Sequence, residues 1–218
     1  MIELRFAAAD LARVRFGRSP MQEVVSSLRV LAGPRTGGMH QRWAAAARPR
    51  VAALRLDVLR ALVAHQGYLP DFLFPPPAGT DTSLDSEVQR VRATPPATVR
   101  AELDTVRTRG PLDPALRDLY DDPGRVLGTL ADDLVRYWRA AVEPVWVRLH
   151  SMLDADLQYR AAQLTADGVG YMLGNLHPQL EYRDEALRIG WTTWDSTTDL
   201  RGTGLVLVPC ASPGPACS

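Results

Sequence analysis

Apolar and polar residues alternate over the first six positions, with Ile2, Leu4 and Phe6 set against Glu3 and Arg5. That is the period of a strand with one buried face. Asp10 then opens a short helical stretch, "DLARVRF". In "SPMQEVVSSLRVLAGP", Val24, Leu28 and Leu31 recur at helical spacing. Ser19 is placed as the N-cap, Pro20 at the first helical position and Gln22 as the partner of a capping box, and Gly33-Pro34 ends the helix. Further helices are predicted over 40–48 and 51–65. "GYLPDFLFPPP" (67–77) breaks the pattern, because three successive prolines exclude a helix interior and a central strand. Tyr68, Phe72 and Phe74 are read as clamps that hold this extended segment on the core. Residues 78–86 read as a surface loop, and "TPPATVRAELDTV" restarts a helix with Thr94 as its cap.

The strongest pattern follows Asp122 and Pro123, a second cap-and-proline pair. Apolar residues fall at Leu127, Leu130, Leu134, Trp138, Ala141, Val145, Leu149 and Met152, always three or four apart. Pro144 predicts a kink. A second flank, Val135, Val142, Trp146, Leu153 and Leu157, is also apolar, so the helix over 123–165 is expected to be buried on two sides, by its own domain and by a partner. Asp167 starts one more short helix. "QLEYRD" and "EALRIGW" then read as strands joined by a charged turn at Asp184-Glu185, and "TGLVLVP" as a third. No fixed-period repeat and no βαβ alternation is present. The expected class is α+β, mostly α: a helical domain with a long Pro-kinked helix, one N-terminal strand and a small C-terminal antiparallel sheet.

Composition changes this picture in two places. Of 218 residues, 25 are basic and 25 acidic, so no global charge points to nucleic acid or an anionic membrane. Yet residues 1–60 hold 11 Arg against 4 acids, whereas residues 61–218 hold 14 Arg against 21 acids. The positive segment is expected to meet the acidic remainder of the same chain or of a second subunit, with phosphate or another acidic partner as the other possibility. Every basic residue is Arg, a mark of GC-rich coding DNA that lowers the weight of any Arg cluster. The two cysteines, Cys210 and Cys217, lie in the C-terminal tail and make no disulfide framework. No signal-peptide core opens the chain, and no segment reaches the roughly 20 apolar residues of a membrane span. A cytoplasmic protein with no membrane association is expected.

Catalytic signatures are missing: GxSxG, HExxH, GxxxxGK[ST] and CxxC are all absent. His40, His65, His150 and His177 stand far apart in sequence. "GVGYMLG" (168–174) follows no strand and lacks the dinucleotide spacing. The acidic pairs Asp121-Asp122, Asp132-Asp133 and Asp154/Asp156 read as solvated helix faces, with Asp122 serving as a cap. The chain is therefore read as a non-enzyme with no catalytic residues, no cofactor and no metal. What remains is aromatic. Tyr137, Trp138 and Trp146, with His150 one turn beyond, and Tyr68 and Phe72 in the proline-rich segment, are the candidates for a ligand pocket or a dimer interface. Plain core packing is the alternative for all of them.

Several blocks in order, "MIELRF…DLARVRFGRSPMQEVVSSLRVL" (1–31), "GYLPDFLFPPP" (67–77), "VRATPP" (91–96), "YWRAAVEPVW" (137–146), "NLHP" (175–178) and "GTGLVLVP" (202–209), resemble the N-terminal regulatory region of actinobacterial ArsR-like winged helix-turn-helix transcriptional regulators. In that family the region is a domain of unknown function, and a DNA-binding winged helix follows it. The resemblance implies a regulatory or dimerisation domain over 1–209, a homodimer and a small-molecule effector. DNA would be bound specifically only through a C-terminal domain missing from this chain. It runs out after Pro209, where "CASPGPACS" reads as a disordered tail (210–218) left by truncation or a frameshift. The cysteine-rich motif of the metal-sensing members is not present. The alternative is a stand-alone small-molecule-binding domain or small enzyme unrelated to transcription.

Overall fold

The chain is described by a computed structural model over residues 1–33, 40–64, 68–77, 79–108, 110–190 and 195–211. In chain order its elements are β1 (Ile2–Arg5), α1 (Ala8–Leu11), β2 (Arg15–Phe16), α2 (Pro20–Ala32), α3 (Gln41–Ala52), α4 (Asp57–Ala64), α5 (Leu84–Arg92), α6 (Pro96–Arg107), α7 (Pro114–Asp121), α8 (Pro123–Tyr137), α9 (Trp146–Gly174), β3 (Leu180–Arg183), β4 (Ala186–Ile189), β5 (Ser196–Asp199) and β6 (Val206–Leu207). The mostly helical α+β class holds. The chain divides into two units, Met1–Arg18 with His150–Pro209, and Ser19–Leu149 with Cys210–Ser218.

The helical unit is organised on α2. Ser19 Oγ accepts the Gln22 N–H at 3.0 Å and Pro20 sits in the first turn, as the sequence predicts. The capping box is only half formed, because Gln22 turns its amide to Ser26 Oγ at 3.2 Å. A distant carboxylate completes the end instead: Glu87 accepts the Met21 N–H at 2.8 Å. Met21 and Glu23 to Leu28 are all buried, so the first two turns of α2 are enclosed, polar positions included, whereas Ala32 at its end is exposed. Leu59 and Leu62 of α4 pack beside it, and Leu103 of α6, Leu119 of α7 and Leu130 of α8 belong to the same core, all fully buried. Each such leucine contributes about 1.5–3 kcal/mol of burial. The proline-rich segment behaves as its aromatics predict: Phe72 is buried, and Tyr68 and Phe74 pack against the same core.

Two local expectations are corrected. Residues 84–86 belong to α5 rather than to a loop, because the Ser-rich composition there is cap chemistry: Ser83 Oγ accepts the Ser86 N–H at 3.2 Å. Thr94 does not cap α6; its hydroxyl donates back to the Arg90 carbonyl, and Pro95 occupies the cap position.

In the other unit, β3 and β4 form the expected antiparallel hairpin, and β1 pairs antiparallel with β4 (Ile2↔Ile189, Leu4↔Leu187), a pairing that periodicity does not specify. The hairpin turns on Asp184 and Glu185, whose φ angles of 52° and 57° give the twisted two-residue turn that suits right-handed strands. β5 joins β1 in parallel, for a sheet order β3-β4-β1-β5. Its four residues, Ser-Thr-Thr-Asp, are all exposed, so it carries no hydrophobic alternation by which to be read. β6 does not extend this sheet. It pairs in parallel with β2, through Arg15 N–H to the Leu205 carbonyl (2.9 Å) and Gly17 N–H to the Leu207 carbonyl (3.0 Å). The stretch "DLARVRF" is thus a single helical turn followed by a strand. Gly204 makes this packing possible: at φ +77°, any Cβ there would lie 2.5 Å from Arg13 Cβ.

Candidate functional site

The aromatic cluster sits where the long helical stripe is interrupted. Pro144 has no N–H for the Ala140 carbonyl, and its ring crowds that oxygen. The backbone responds by widening Trp138–Val142 into a π-turn and tightening Glu143–Val145 into a 3-10 turn before α9 begins. One group exposed by this irregularity is claimed by α3: Trp43 Nε1–H donates to the Ala141 carbonyl at 2.8 Å. Trp138 and Trp146 meet edge to face across the turn, ring centroids 5.0 Å apart. Tyr137 is fully buried, and its hydroxyl shares a 2.9 Å hydrogen bond with Ser27 Oγ of α2. Burial pushes the Tyr137 hydroxyl well above its ordinary ionisation range.

This arrangement brings together three of the six candidates, Tyr137, Trp138 and Trp146, and gives them a structural task. Trp138 keeps only 8% of its surface, so its ring is covered by the protein's own core. Phe72 and Tyr68 are placed elsewhere, against α6. The Phe72 N–H donates to Glu102 Oε2 at 3.1 Å, and the Tyr68 hydroxyl is pushed up to about 12 by burial, then by Glu102 and Asp71, against a hydrogen bond from Thr105. His150 is paired with Asp154 at 3.2 Å, and Asp154 also takes Arg18.

The second group of buried functional atoms is acidic, and sequence reading missed it. Glu23, Glu87 and Asp10 are fully buried, and each accepts backbone N–H groups from a segment distant in sequence. Glu87 takes Met21, Glu23 takes Ala211 at 2.6 Å, and Asp10 takes Ala7 at 2.8 Å and Gly204 at 2.9 Å. Burial raises the Glu87 carboxyl, opposed by hydrogen bonds from Ser19 and the Met21 amide and by Arg90. For Asp10 the balance reverses. Burial would raise it, but the amides of Gly204, Ala7 and Gly202, with Arg13, hold it below the usual carboxylate range. The Asp132-Asp133 reading is half corrected: Asp132 is exposed, but Asp133 is buried and bonded to Arg136. Burial raises its carboxyl against that bond.

None of these carboxylates converges with others. Among the described residues, no set of three or more His, Cys, Asp or Glu is gathered for a metal ion. Nor is any helix among them long and apolar enough to cross a membrane. Of the tail expected over 210–218, Ala211 donates its N–H to Glu23, and 212–218 lie outside the described residues.

No protein family, curated protein or solved structure matches the chain. The signal for the residues that sequence reading passed over was faint but present. Trp43 is the lone aromatic in the alanine run "QRWAAAARPR", and Ser26-Ser27 stand between the apolar Val24-Val25 and Leu28 with side chains too short to reach far.

Proposed function

We propose that this chain is the regulatory region of an ArsR-like winged helix-turn-helix transcriptional regulator and that its part in that protein is to dimerise. The regulator half of the reading rests on the ordered blocks from 1–31 to 202–209 that resemble that family. The dimer half rests on one observation in α9. Met152, Ala155, Tyr159, Ala162 and Ala166 are all exposed and follow one another at steps of three, four, three and four. That is the seam period of two packed helices, and alanine at three of the five positions lets a partner helix approach closely. The stripe ends at Gly168, whose φ of 84° breaks the helix.

The occupant proposed for this seam is a second copy of the chain. Trp138 and Trp146 then stabilise the turn that leads into the dimer helix, rather than lining the interface. A small-molecule effector would act by preferring one dimer geometry, limited by its differential affinity for the two states. Specific DNA readout would belong to the winged helix of the parent regulator.

Sedimentation equilibrium tests the dimer. The wild-type chain should run as a dimer, and the double variant Met152→Glu/Tyr159→Glu as a monomer. Met152 and Tyr159 are 44% and 58% exposed, so the variant should keep the secondary structure of the wild type. A wild-type monomer, or a variant that still dimerises, would refute the assignment of the seam.

A further inference from the structure

Residues 24–56 contain six arginines and no aspartate or glutamate. Among the described residues, the guanidinium groups of three of these six have no internal partner. Arg48 donates to the Leu31 carbonyl at 2.9 Å, and Arg29 is half-buried. Arg42 and Arg50 on α3, and Arg55 just beyond it, are exposed, and among the described residues their guanidinium groups make no hydrogen bond and no ion pair. Elsewhere arginines are matched to acids: Arg18 to Asp154, Arg92 to Asp132, Arg107 to Asp104, Arg125 to Asp122 and Arg188 to Glu3. Within the chain, the expected pairing of the positive segment with the acidic remainder is therefore not made by Arg42, Arg50 and Arg55, and a second subunit is the other half of that expectation.

The face between these arginines is small and flat. Ala45, Ala46, Pro49, Ala52 and Ala53 are exposed, while Trp43, Ala44, Ala47 and Val51 turn inward. We infer that α3 presents a basic face that takes the phosphate backbone of double-stranded nucleic acid without reading its sequence. Guanidinium forks match phosphate oxygens in geometry as well as charge. Arg42 and Arg50, eight residues apart, are about 12 Å apart along the helix axis, far enough to engage separate phosphates. An acidic protein or a membrane surface is the poorer fit. Stable protein interfaces need a large apolar anchor and membrane-bound helices need bulky apolar side chains, and this face offers only alanine and proline. Arg139 of the adjoining π-turn adds a further exposed positive charge, and Glu143 of the 3-10 turn after it an exposed negative one. The inference does not depend on the regulator reading, since it concerns backbone contact by this chain alone.

Fluorescence anisotropy of the full chain with a short labelled DNA duplex tests it. Three neutralised phosphates predict a log–log salt slope of about −2.7, so binding should weaken about 40-fold between about 50 mM and about 200 mM salt. Two duplexes of unrelated sequence should bind equally. The variant Arg42→Gln/Arg50→Gln/Arg55→Gln should lose at least about tenfold in affinity and most of the slope. Should that variant unfold, Arg50→Gln alone should reduce the slope by about one. The inference is overturned if the wild type gives no signal at the lower salt. It is equally overturned if the variants keep the wild-type slope, or if polyglutamate or anionic vesicles bind more tightly than the duplex. Loss of dimerisation in the seam variant would leave these results untouched, so the two readings fail separately.

Discussion

Tyr137 shows how much of this molecule is decided by single polar atoms inside an apolar core. Its hydroxyl is buried against Ser27, which also donates to the Val24 carbonyl. Tyr137→Phe removes one hydrogen bond and leaves Ser27 satisfied, so it should cost about 1 kcal/mol in urea unfolding, near the value for a single buried bond. Trp138→Ala, which empties a covered site, should cost about 3–5 kcal/mol. Asp10 sets a pH limit. Its folded carboxyl ionises below its unfolded one, so its contribution is complete at neutral pH and is lost as pH falls through the folded value. Asp10→Ala should lower the melting temperature at neutral pH and flatten its acid dependence. Tyr68 acts at the other end: held up to about 12, it stays protonated while the unfolded tyrosine ionises near 10. Stability should therefore fall as pH rises between those values, and Tyr68→Phe should reduce that fall. Such residues were the hardest to read from sequence. Glu23 and Glu87 look like ordinary surface acids, and only the fold shows that each closes the backbone of a remote segment.

For single elements, reading succeeded where periodicity was reinforced by cap, turn or proline chemistry. β1, α2, the β3–β4 hairpin and the break at Pro144 were legible because period, caps and proline chemistry agreed. β5 was not, having no buried face, and α5 was obscured because its cap residues resemble a loop. The hairpin offers a clean test of local strain. Glu185 has φ 57°, a conformation that costs a residue with a Cβ about 1 kcal/mol or more relative to glycine. Glu185→Gly should raise unfolding stability by up to about 1 kcal/mol, since the side chain is exposed and its backbone carbonyl still accepts the Phe6 N–H. At the π-turn, Trp43→Phe should destabilise by about 1–3 kcal/mol, because the Ala141 carbonyl would lose the indole donor while the ring remains packed.

For the whole molecule, the expectation that 123–165 forms one helix buried on two sides separates into two outcomes. α8 is buried along Val126, Leu127, Leu130 and Leu134, whereas α9 keeps only Leu153, Met172 and Leu173 fully inside. Of the stripe's residues in α9, Leu149 still packs against the core while Met152 is exposed, and Met152 opens the exposed face that motivates the dimer. The strand Leu205–Val208 is likewise resolved: Val206 and Leu207 are held by β2, and the chain beyond reaches Glu23 through Ala211. Function was less legible than fold, because the resemblance names a role while no constellation of side chains names a reaction. The central claim is that this region serves a DNA-binding regulator without itself reading sequence. Its most direct test compares this chain with a version extended through the winged helix-turn-helix that the resemblance places after Pro209, both titrated against the promoter upstream of the gene. The account predicts that the extended protein prefers that promoter over unrelated DNA by at least about 10³-fold, in a salt-sensitive manner, while this chain shows no sequence preference. An extended protein with no preference, or a chain that selects the promoter alone, would contradict it.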